Sequence, residues 1–161
     1  MARQYQAADV AACIIETTNS MGSSISNLRL QKTLFFCQSE CLGKTEKVLF
    51  PDKIVAWQYG PVVESVYYAY SYRGASDIRK PASMVIDIVT GEKRLTRRLD
   101  GAELSLVERV VDKWKDKSVW DLVNETHRKG GAWDRVYNRD NVNGSGYGQE
   151  IPIDIIAECY V

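Results

Sequence analysis

Asn27-Leu28-Arg29-Leu30-Gln31-Lys32-Thr33-Leu34-Phe35-Phe36-Cys37-Gln38 is the stretch whose reading decides the fold. Leu30, Leu34, Cys37 or Gln38, and Cys41 recur at helical spacing and form one apolar stripe. Ser26 or Asn27 supplies an N-cap and Gly43 a stop, so a helix is predicted from there to about Leu42. Gln31 and Lys32 stand on the opposite side of that helix, where the pattern assigns them to an exposed surface.

Upstream, Val10, Ala11, Ile14 and Ile15 set a first amphipathic helix over residues 7–18, broken by the Ser- and Asn-rich stretch 19–26. Downstream, residues 48–59 turn β-branched and aromatic around Pro51 and Asp52, which predicts two short extended pieces joined by a turn. Trp57 and Tyr59 then share a strand face and pack on the Leu30 and Leu34 stripe. Gly60 permits a sharp change of direction, and Pro61 is pre-organised for a first helical position, so a third helix is predicted over residues 61–72, carrying Val62, Val66 and Tyr70.

Residues 84–89 and a second run ending at Leu99 flank Thr90, Gly91 and Glu92, the pattern of a hairpin and the one antiparallel pair expected beside the helices. Asp100 and Glu103 have the spacing of a capping box ahead of Leu104, Val107, Val110, Val111 and Trp114, predicting a helix to about Lys115. Ser118 caps another over residues 119–127, and Pro152 opens a short terminal helix with Ile153, Ile156, Ala157 and Tyr160. The Gly- and Asn-dense stretch 138–149 reads as a mobile loop or extended link. The fold class is mainly α, or α+β with helices dominating: one compact multi-helix domain over residues 1–161 with a small antiparallel β hairpin.

Composition excludes several function classes. With 45% hydrophobic and 26% charged residues, the chain lies far from the disordered corner of composition space. Twenty-one basic residues balance twenty-one acidic ones, so no global field draws it to nucleic acid or an anionic bilayer. No window approaches the roughly eighteen apolar residues of a membrane span, and a cytoplasmic location with no membrane partner is expected. Cys13, Cys37, Cys41 and Cys159 are scattered through apolar stretches and read as buried thiols, and Cys37, Cys41 and the lone His127 are too sparse for structural zinc.

Any histidine-based catalysis passes through His127, beside Glu125 or Asp134, but its place at a helix C-terminus is explained by capping. Gly144, Gly146 and Gly148 lack the Lys-Ser/Thr and strand-to-helix context of a phosphate loop. No catalytic centre and no cofactor are expected. Arg94, Arg97 and Arg98, with Lys93, Arg79 and Lys80 nearby, form a basic patch on the hairpin that supports a nucleic-acid-binding regulator as the rival class.

The helix carrying Leu30, Lys32, Leu34 and Gln38 resembles the one that opens the Panacea domain, also described as SocA-like or Gep-like. Trp57-Gln58-Tyr59-Gly60-Pro61-Val62 resembles that family's Trp-x-Tyr-Gly-Pro-Val segment, with Tyr67 and Tyr70 following. Residues 104–114, residues 118–127 ending in His127, Trp133 and Ile151-Pro152-Ile153 then match its later motifs in order and spacing. Ala132 replaces the usual proline before Trp133, and the Gly-rich stretch 141–148 is longer than typical.

The resemblance implies an antitoxin of a toxin–antitoxin pair, found also in prophage genes. Its partner would be a protein toxin or another host or phage protein, neutralised by direct contact or delivered to an AAA+ protease. Leu30, Gln31, Lys32, Leu34, Trp57, Tyr59, Gly60, Pro61, Tyr67, His127 and Trp133 are the motif positions it offers for partner binding. The hairpin of residues 84–99, with Arg94, Arg97 and Arg98, and the loop of residues 138–149 are the expected variable contact surface.

Overall fold

A computed structural model of the chain describes residues 5–87 and 89–161. Among these, helices α1 (Ala7–Ser20) and α2 (Asn27–Thr45) are followed by strands β1 (Val55–Trp57) and β2 (Gly60–Val62) and helix α3 (Glu64–Ala69). Strands β3 (Met84–Ile86) and β4 (Lys93–Leu95) precede α4 (Gly101–Trp114), α5 (Val119–Thr126), α6 (Ala132–Tyr137) and α7 (Ile153–Glu158). The protein is mainly α with a small β part, the class read from sequence. Ile88, within the extended run expected at residues 84–89, lies outside the described residues.

The core forms where α1 and α2 pack on each other and on α4. Val10, Ile14 and Ile15 of α1, Leu30 and Leu34 of α2, and Val107 of α4 have no accessible surface. Burying each Leu or Ile of this set contributes about 2 kcal/mol of hydrophobic stabilisation. Leu30 and Leu34 are therefore interior packing residues and are corrected from partner-binding candidates. α2 runs past Gly43 to a left-handed Glu46, whose N–H donates to Leu42 O. Gly43 sits under the Tyr160 ring, close enough that a Cβ would lie 2.0 Å from Tyr160 Cδ2. The glycine makes room for the C-terminal segment and does not stop the helix.

Two further expectations change. β1 and β2 form a second antiparallel pair, Val55 opposite Val62 and Trp57 opposite Gly60, turning at Gln58 and Tyr59 and away from Pro51. Pro61 lies in β2 opposite Ala56 and starts no helix, and α3 begins only at Glu64. A Gly-Pro pair suits a strand start as well as a helix start, and only the pairing of β1 distinguishes the two. Ser118 and Asp121 form the capping box of α5, with bonds of 3.1 and 3.2 Å. Asp100 occupies the N-cap of α4 without a side-chain cap, and its carboxylate accepts a hydrogen bond from Tyr5.

Candidate partner-binding site

Ser26 caps α2 by accepting the Arg29 N–H, and this sets the register of a polar run along the helix. Gln31 is 1% and Lys32 0% exposed, which overturns their assignment to the surface. Gln31 accepts the Val63 N–H at 2.9 Å and donates to Asn27, whose amide donates to Tyr67 O. Lys32 Nζ donates to Pro61 O at 2.9 Å. About two turns on, Gln38 accepts the Leu49 N–H and donates to Phe50 O. The chain from residue 49 to residue 63 crosses α2, and these side chains supply partners to the backbone groups of residues 49, 50, 61 and 63.

Among the described residues no carboxylate forms an ion pair with Lys32, and burial lowers its amine to about 7. Gly60, at φ +114°, lets the strand pass over this amine. A Cβ there would fall 2.7 Å from Thr126 Oγ1 and 2.9 Å from Lys32 Cε.

Over Lys32 opens a cleft of about 600 Å³ walled by Trp57, Tyr59, Tyr67, Trp120 and Tyr147. Trp57 meets the Tyr67 ring edge-on at 4.9 Å. Tyr59 meets Trp120 at 5.9 Å, and both are about half exposed. The structure thus brings Gln31, Lys32, Trp57, Tyr59 and Tyr67 to one place. Trp120 and Tyr147 complete it and were missed. Trp120 carried a signal: it stands off the apolar stripe of Leu122, Val123 and Thr126, where a tryptophan has no core to enter.

His127 and Trp133 lie behind this wall. Their rings stack at 3.8 Å and 5°, and the Trp133 indole donates to Trp57 O at 2.8 Å. Burial, then the charge of Lys32, lowers the imidazole below its ordinary value, with Asp134 opposing. Its Nε2 is buried without a hydrogen-bond partner among the described residues.

At the opposite end, Val85 and Arg94 form the inward pair of the β3–β4 hairpin. Arg94 is corrected from the contact surface, since its guanidinium is bound to the buried Asp9. The outward face shows Met84, Ile86 and Leu95, 45%, 63% and 70% exposed, with Arg97 and Arg98 also exposed beyond. Residues 138–149, expected as a mobile loop or extended link, are joined to α6 and β1 by backbone bonds: Gly146 N to Tyr137 O, Gly148 N to Ala56 O, and Ala56 N to Gln149 O. The stretch lies against β1.

The chain matches the family described as "Antitoxin SocA-like, Panacea domain" over residues 30–134. It is 29% identical over 139 residues to "Antitoxin SocA" of Caulobacter vibrioides (strain NA1000 / CB15N), an alignment covering 83% of this chain and 71% of that one. No solved structure matches it. Among the described residues no helix is long and apolar enough to cross a membrane.

Proposed function

Because the chain belongs to the antitoxin SocA-like, Panacea domain family, we propose that it is an antitoxin that neutralises a protein toxin by direct contact, with the β3–β4 hairpin as the contact surface. The observation that carries the surface is the outward row of Met84, Ile86 and Leu95 on a two-stranded ribbon. Large apolar side chains with no core to join mark protein-binding faces. Arg97, Arg98 and Lys93 provide a charged rim. Such neutralisation needs no catalytic group, and the lone imidazole is engaged in packing on Trp133.

The test is growth rescue on co-expression with the product of the adjacent gene. The wild-type chain should restore growth and co-purify with that product, and the double substitution I86D/L95D should do neither while keeping its melting temperature. Rescue by the double variant would move the contact off the hairpin. A wild-type chain that rescues nothing and binds nothing would remove the antitoxin reading.

A further inference from the structure

We propose that the aromatic cleft over Lys32 is a second docking site, which takes a short segment of another protein carrying a carboxylate beside a large apolar side chain. The inference rests on the cleft alone and stands apart from the antitoxin reading.

The walls set the apolar half of the requirement. Tyr59, Trp120 and Tyr147 are 52%, 54% and 59% exposed and face one volume of about 600 Å³. That volume holds a few side chains and no globular surface. Exposed tryptophan and tyrosine in a concave setting are the residues that anchor protein partners. Among the described residues the Tyr59 and Tyr147 hydroxyls and the Trp120 indole N–H make no hydrogen bond, so donors stand ready at the mouth.

Charge sets the other half. Among the described residues Lys32 is the one charged side chain in the lining, and no aspartate or glutamate lines the cleft with it. The N-cap and first residues of α2, Ser26 to Leu28, and the first residues of α5, Val119 and Trp120, also line the cleft. Below about pH 7 Lys32 is protonated, and a buried cation in a low-dielectric wall acts through its field without contact. One such charge suits one carboxylate. A nucleic acid strand requires a row of exposed cations along its phosphates, and this lining has none.

A displayed library of short random peptides, panned at about pH 6, where Lys32 is protonated, against the immobilised full chain, tests the site. Recovered sequences should be enriched in Asp or Glu next to Phe, Trp or Leu. W120A, at an exposed position, should weaken capture about tenfold or more. Q58E, at the exposed rim, should weaken acidic peptides by about threefold or more, and K32M should abolish the acidic preference while apolar selection persists. Recovery of no peptides, of peptides without acidic enrichment, or of peptides indifferent to W120A and Q58E would overturn the proposal. So would perturbation of the Trp57 and Trp120 signals by a mononucleotide in place of peptides. None of these outcomes depends on whether hairpin variants neutralise a toxin.

Discussion

Arg94 binds Asp9 through two N–H···O bonds of 2.9 and 2.7 Å, tying the β3–β4 hairpin to the first turn of α1 across the molecule. Burial pushes the Asp9 carboxyl up, but Arg94 and the Gln6 and Arg97 N–H groups more than offset this and hold it below its ordinary value. Removing Arg94 leaves a carboxylate with no accessible surface and no cation. R94A should therefore cost about 3–5 kcal/mol, read from urea unfolding. The folded carboxyl titrates below the unfolded one, so the stabilisation is present above the unfolded value and lost as pH falls through the folded one. A loss under about 1 kcal/mol would mean the pair acts like a surface salt bridge.

Lys32 carries the opposite pH signature. Its amine titrates at about 7 in the fold against 10.5 in the open chain. Between those values the unfolded chain holds a proton that the folded chain has released, so this group's contribution to stability rises with pH across the window. Below about 7 the penalty of a buried charge is fully present. The difference in unfolding free energy between wild type and K32M isolates the effect, because the raised Cys13, Cys37 and Cys41 thiols are common to both. That difference should grow in favour of wild type between about pH 6.5 and about pH 9. A flat difference would return the amine to its ordinary value.

These two residues also show where sequence reading stops. The stripe of Leu30 and Leu34, the Ser118 cap and the hairpin at residues 84–95 were legible because periodicity and capping are local. Gln31, Lys32 and Arg94 look solvated in any local pattern. Their burial follows from partners far along the chain, namely Val63, Pro61 and Asp9. The motif positions did bring most of the cleft together, since Lys32, Trp57, Tyr59 and Tyr67 meet there. Tyr147 could not be placed, because its stretch read as a mobile loop or extended link.

Gly146 shows what fastens that stretch. A Cβ on it would lie 1.7 Å from Val136 O, so the residue is glycine because two backbones touch there. G146A should cost about 3 kcal/mol through a clash that no side-chain rotation relieves. Gly148 is the control: nothing lies within 4 Å, but φ is +79°. G148A should cost about 1 kcal/mol from left-handed strain alone. Equal costs on urea unfolding would show that close approach is not what selects Gly146.

His127 separates packing from chemistry. Its ring lies flat on Trp133 at 3.8 Å, and its Nε2 is buried without a partner among the described residues, so the imidazole contributes stacking area and a polar atom that costs free energy. Phenylalanine keeps the area and removes the nitrogen. H127F should therefore melt no lower than wild type, and growth rescue should persist, since neutralisation by contact uses no proton transfer. Loss of rescue in a variant with an unchanged melting temperature would return His127 to the functional machinery and reopen an enzymatic role. H127A deletes the stacked ring instead. It should lower stability by about 1–3 kcal/mol while leaving rescue intact below its own melting temperature, which distinguishes a structural loss from a chemical one.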